Sequence, residues 1–172
     1  LDYVKKTLIN GGMWPLIKSM RFGDSANPNE KPAAIYVNID NEEPFVPQSA
    51  VYLKEYAKYF KEGLRVMKLL SQDNLVVSAQ QTKLDDSIEF SNDITHVVSG
   101  DYPASNPVVL MTQLRTSSDD NNAWMISGMD VCRIGMFILN GTYPSEKIVT
   151  VGGTQVERPT HFKTREGVVI DD

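Results

Sequence analysis

One stretch constrains this chain more than any other. Residues 33–79 read AAIYVNID, NEEPFVPQ, SAVYLKEYAKYFKEGLRVMKLLSQ and DNLVVSA. The first segment, Ala33–Ile39, is nearly all apolar and includes Tyr36 and Val37, which suits a strand buried on both faces. An acidic turn follows, with Asp40, Glu42, Glu43 and Pro44. Pro47 and Ser49 then mark a helix start. On that helix Leu53, Tyr56, Ala57, Phe60, Leu64, Met67 and Leu70 fall on one stripe. Lys54, Lys58, Lys61, Arg65 and Lys68 lie near the other face, where they serve either as a docking surface or as an ordinary solvated face. Leu75–Ala79 is the next strand. A strand, a helix and a strand of these lengths close as a right-handed parallel crossover.

The flanking sequence repeats the alternation. Asp2–Asn10 has helical spacing and is stopped by Gly11-Gly12. Pro15 starts a second short helix, and residues 22–32 form a loop rich in Gly, Pro, Asn and Asp. Residues 87–90 alternate as a short edge strand, and Thr95–Ser99 reads as a further strand. Asn106 and Pro107 open a helix that runs to Leu114. Ala123–Ser127 is a strand, Met129–Asn140 a helix stopped by Gly141, and Lys147–Val151 a strand. Beyond Pro159 the pattern changes to the alternating HFKTREGVVI. Strands alternating with helices predict an α/β fold with a mainly parallel sheet. In such sheets ligands bind beyond the carboxyl ends of the strands. The acidic turn after Ile39 and the pair Ser127-Gly128 both sit at such ends.

Composition narrows the functional classes. The chain has 172 residues, 41% hydrophobic and 23% charged, which is ordinary for one globular domain. Its net charge of -5 argues against nucleic acid, which needs a basic face. No apolar run approaches the roughly 18 residues of a membrane span. A single cysteine rules out an internal disulfide and fits a reducing compartment. Leu1 is not a start methionine, and the chain stops at Asp172 just after GVVI. The expectation is a piece of a longer protein, with an α/β domain over 1–154 and the truncated start of a β-rich module over 155–172.

Several chemistries lack their residues. His96 and His161 are far apart, so no zinc set is present. Cys132 stands among apolar helix residues and reads as core. There is no G-x-S-x-G elbow. Phosphate cradles need glycines that let backbone approach a pyrophosphate, but Gly11-Gly12 is followed by bulky Met13, Trp14 and Pro15. Met13, Trp14, Met20 and Phe22, near Arg21, suit either core packing or an apolar site for a flat ligand such as a quinone. Asp40 and Glu43 suit a ribose hydroxyl, a cation, a partner's arginine, or simply a solvated turn.

Two blocks, INGGMWPLIKSMRFGDSANPNEKPAAIYVNIDNEEPF and AWMISGMDVCRIGMFILNGTYPSEKIVTVGGTQVERPTHFKTREG, resemble the A subunit of the sodium-translocating NADH:quinone oxidoreductases. That family is similar in turn to the C subunit of the Rnf complex and to the flavin subunit of respiratory complex I. Asn38, Asp40, Glu43 and Pro44 match the acidic N-x-D-E-x-E-P motif of the latter, with Asn41 at its second acidic position. The glycine-rich flavin loop is replaced by Gly11–Pro15. The resemblance implies a three-layer Rossmann-like domain without an FMN or NADH site, then the start of a β-grasp-like module. It implies a peripheral subunit on the cytoplasmic face of the bacterial inner membrane, partnered by the other subunits and associated with quinone near Trp14, Arg21 and Phe22. Asp40 and Glu43 become remnants of a nucleotide site. The holoenzyme would use NADH, flavins, an iron–sulfur centre and quinone to move sodium; this chain would bind none of these cofactors and would not be catalytic alone. Two rival readings remain: a soluble flavin- or NAD-dependent oxidoreductase domain, and a structural adaptor.

Overall fold

A computed structural model describes residues 1–40, 43, 45–81, 91–115 and 122–169. The expected edge strand at 87–90 lies outside them. Four α-helices are described: α1 (Asp2–Asn10), α2 (Ser49–Ser71), α3 (Pro107–Leu114) and α4 (Gly128–Asn140). The strands are β1 (Lys18–Ser19), β2 (Ile35–Asn38), β3 (Leu75–Gln80), β4 (His96–Val98), β5 (Trp124–Ser127), β6 (Glu146–Val151) and β7 (Thr160–Arg165). The second short helix expected at Pro15 is a single 3-10 turn, Trp14–Leu16.

The main sheet has the order β1-β5-β2-β3-β4. β5, β2, β3 and β4 run parallel, and β1 closes the β5 edge antiparallel. Alternation along the strands sends side chains to two cores. Ile35, Val37, Val77, Trp124 and Ile126 pack with α1, α2 and α4 on one face, whereas Tyr36, Val76 and Met125 pack with Leu110 and Met111 of α3 on the other. Helices therefore cover both faces of the sheet, and the apolar run of β2 is explained by burial on both sides. No described helix is long and apolar enough to cross a membrane.

β6 departs from the sequence reading. Lys147–Val151 was expected to continue the α/β alternation. Instead β6 pairs antiparallel with β7, from Glu146 opposite Arg165 to Val151 opposite Thr160, in a separate two-stranded sheet. The apolar run alone does not say which neighbour a strand will find. Residue 154 falls in the connection between these two paired strands. The hairpin is pinned to the helical layer by buried Ile148 and by polar contacts with α2 and α4.

α2 and α4 cross in close contact. A Cβ on Gly63 would overlap the carbonyl oxygen of Val131, and one on Gly135 would overlap that of Tyr59. Glycine inside a helix costs roughly 1 kcal/mol against alanine; here it lets two backbones touch. Gly135→Ala is therefore expected to destabilise the protein by about 1–3 kcal/mol despite the better helix propensity of alanine. Urea unfolding monitored by circular dichroism checks this, and an unchanged or raised midpoint would contradict the backbone contact.

Candidate functional site

The jump from β4 across β2 to β5 creates a switch point. β2 leads to β3 on one side, while β5 lies on the other, with Asn38 directly opposite Ser127. A cleft of about 380 Å³ opens at this end of the sheet. Lys18, Asn38 and Ser127 line it from the sheet, Ser105 and Asn106 from the approach to α3, and Glu43 from the acidic turn. Glu43 and Ser127 thus lie where the strand-end rule places ligand-facing residues.

Local chemistry holds the walls in place. Ser127 caps α4: its Oγ accepts from the Asp130 N–H at 3.1 Å and donates to Asp130 Oδ2 at 2.8 Å. Asn106 caps α3 in the same way, accepting from the Val108 N–H at 2.9 Å. Gly128 must be glycine, because a Cβ there would overlap the Tyr52 hydroxyl. That hydroxyl donates to the Ile39 carbonyl at 2.5 Å, tying α2 to the end of β2. Burial pushes the Tyr52 phenol well above its ordinary range, so it stays a donor. Asn38 Nδ2 donates to the Ser105 carbonyl at 3.1 Å.

The acidic-turn residues separate. Asp40 is only 2% exposed, and its Oδ2 accepts from the Gln80 N–H at 2.9 Å, so it braces β2 against β3. Glu43 lines the cleft. Arg21 and Phe22 line a second, larger cavity of about 880 Å³ on the other side of Val108, with Met20, Met111 and Trp124. The Arg21 guanidinium sits 5.0 Å from the Phe22 ring centroid, and Phe22 is exposed. Trp14 is not among the cavity's lining residues. It is buried, donates its indole N–H to the Ala26 carbonyl at 2.6 Å, and packs edge-on to Trp124 at 5.6 Å. Trp14 therefore supports the cavity wall from behind.

Gly11 and Gly12 end α1. The N–H groups of Gly11, Gly12 and Met13 donate to the carbonyls of Thr7, Ile9 and Leu8. A Cβ on Gly11 would overlap the Phe137 ring of α4. Cys132 is fully buried and burial raises its thiol pKa, as its apolar surroundings predict.

Sequence reasoning missed an ion network behind the cleft. Buried Arg133 pairs with Asp130 at 3.4 Å and with Glu166, just after β7, at 2.7 Å. The Tyr143 hydroxyl accepts from Arg133 and donates to Glu166. The only sequence signal was an arginine embedded in an apolar helix, where a charge must be paired.

These features agree with known proteins. A family model described as NqrA second alpha/beta domain matches residues 1–143. The chain belongs to this family. It is 26% identical over 170 residues to the Na(+)-translocating NADH-quinone reductase A subunit of Cellvibrio japonicus, covering 99% of this chain and 38% of that protein. It is 28% identical over 169 residues to the corresponding reductase subunit of Neisseria gonorrhoeae, covering 98% of this chain and 38% of that protein. The corresponding subunit of Vibrio vulnificus is 26% identical over 171 residues, with 99% of this chain and 38% of that protein covered. The chain thus spans about 38% of the length of the curated relatives it matches. The match to the NqrA domain ends at residue 143, just before β6 begins at Glu146.

The hairpin that follows this NqrA-type domain carries a pH-sensitive contact. Lys163 lies 2.6 Å from Glu55 and 2.9 Å from Glu146, which also accepts from the Tyr56 hydroxyl at 2.8 Å. The hydrogen bond from Lys163 lowers the Glu146 pKa below its ordinary value of 4.5, while burial and the bond to Glu146 push Tyr56 up to about 12. Because the folded carboxyl pKa is depressed, the contact contributes above the unfolded value and is lost as pH falls through the folded one. Backbone amide shifts of the hairpin should titrate with a midpoint below 4.5, and Glu146→Gln should abolish that step. A titration that survives the substitution would contradict this assignment.

Proposed function

We propose that this chain works as the α/β part of the NqrA subunit in a sodium-translocating NADH:quinone reductase. In that role it holds quinone and neighbouring subunits and leaves flavin and NADH chemistry to other parts of the complex. Its relatives carry the reductase's name, and the match to the NqrA domain covers residues 1–143. The fold is Rossmann-like in this reading, and the hairpin opening at Glu146 is the start of a second, β-grasp-like module. The chain is not catalytic by itself. The complete subunit sits on the cytoplasmic face of the bacterial inner membrane, held by its partner subunits.

One observation carries the separation from flavin. A phosphate cradle needs free backbone N–H groups and glycines that make room for the ligand. Here the amides of Gly11, Gly12 and Met13 are spent on capping α1, and the space above Gly11 is filled by Phe137. The acidic end of a nucleotide site persists at Asp40 and Glu43, but Asp40 is buried as a brace between β2 and β3.

For quinone, the cavity beside Arg21 and Phe22 has suitable chemistry. It offers aromatic and thioether surfaces for a flat ring and a guanidinium for a quinone oxygen. A photoreactive quinone analogue applied to the whole complex should label residues 18–25 or 108–111. Phe22→Ala should lower that labelling about fivefold, the equivalent of one aromatic contact of roughly 1 kcal/mol. Labelling confined to another subunit would overturn the quinone assignment.

A further inference from the structure

The cleft at the carboxyl ends of β2 and β5 carries polar or charged side chains at both of its ends. At the β2 end, Asn38 commits its Nδ2 to the Ser105 carbonyl, which identifies Oδ1 as the free acceptor. That Oδ1 is buried and accepts no hydrogen bond. A buried acceptor without a donor is costly, so this position favours a ligand that brings one. Asp40, two residues further on, also has a buried, unpartnered oxygen, Oδ1. Glu43 lines the same cleft. The β2 end is therefore rich in acceptors and negative charge.

The opposite end has the opposite character. Lys18 lines the cleft from β1, and its ammonium has no ion pair or hydrogen bond among the described residues. Lys18 stands opposite Met125 on β5, and Asn38 stands opposite Ser127 on the same strand. Lys18 and Asn38 are thus two strands and two residues apart, roughly 12 Å at about 4.8 Å per strand and 3.3 Å per residue. The capped N-termini of α3 and α4 border the space between them, adding partial positive charge. The charge of Asp130 on the cleft wall is taken up by Arg133.

We propose that this cleft binds a small hydroxylated organic anion of the sugar-monophosphate class. Its hydroxyls donate to Asn38 Oδ1 and Glu43, and its anionic group lies beside Lys18. The β2 end sets that orientation, since an anion placed there would face the Glu43 carboxylate. A metal ion fits less well: no group of three or more candidate ligand side chains converges among the described residues. The volume of about 380 Å³ lies at the lower end of the range for small-molecule sites and admits one such ligand. The proposal does not rest on the quinone reading, which concerns the separate cavity on the other side of Val108.

The test uses the full-length protein with ribose 5-phosphate, ribose and inorganic phosphate as probes. Ribose 5-phosphate should raise the melting temperature saturably, with ribose and phosphate each binding at least about tenfold more weakly in calorimetry. Lys18→Met keeps the aliphatic stem and removes a charge that has no partner among the described residues, so the free protein should melt unchanged while ribose 5-phosphate affinity falls by about tenfold or more. Three results would each overturn the proposal: no saturable shift with ribose 5-phosphate, equal binding of phosphate alone, or undiminished affinity in Lys18→Met. Quinone photolabelling of the same preparations reports on the other cavity, so failure of one reading is distinguishable from failure of the other.

Discussion

The structure depends on the backbone contact between α2 and α4. Gly63 and Gly135 bring the two helices close enough that the carbonyls of Tyr59 and Val131 fill the space where side chains would be. This contact fixes where α4 begins relative to β2. Gly128 at the helix start then fits beneath the Tyr52 hydroxyl and against Ile39. The cleft is shaped by that placement, because Ser127 and Asp130 form its wall. Arg133, on the same helix, carries the arrangement on to the β6–β7 hairpin through Glu166. A helix moved outward by a side chain at Gly135 would shift the cleft wall and the hairpin anchor together.

Most elements were legible because their signals are local. The stripe from Leu53 to Leu70, the proline and polar residues at helix starts, and the apolar runs of β2, β3 and β5 all report on their own neighbourhood. What escaped was set by partners distant in sequence. β1 has only two residues, Lys18 and Ser19, too few to show alternation. β6 reads like a core strand, yet its partner is β7 rather than the main sheet. Asn38, Glu43 and Ser127 were legible as strand-end residues. Lys18 and Ser105 were not, because they reach the cleft through the order β1-β5-β2 and through the loop before α3. Trp14 illustrates the limit of composition: an aromatic beside Arg21 in sequence lies behind Trp124, and its indole is used to hold Ala26.

The cleft and the Gly11–Met13 segment use the same fold in different ways. The ends of parallel strands remain a place where polar side chains and helix N-termini converge. At Gly11, however, the missing Cβ serves packing: the residue closes α1 and leaves room for the Phe137 ring. The amides of Gly11, Gly12 and Met13 are committed to α1 carbonyls there, and the Phe137 ring fills the space at Gly11. The cleft at Asn38 and the cavity at Arg21 share only Val108 at the start of α3, so the domain offers two separate surfaces.

The most direct test of the central claim is a titration of the full-length protein with FMN, followed by quenching of flavin fluorescence. With the amides of Gly11–Met13 bonded within the α1 cap and Phe137 seated on Gly11, no saturable quenching is expected. Stoichiometric, saturable FMN binding that disappears on substitution of Asp40 or Glu43 would contradict it.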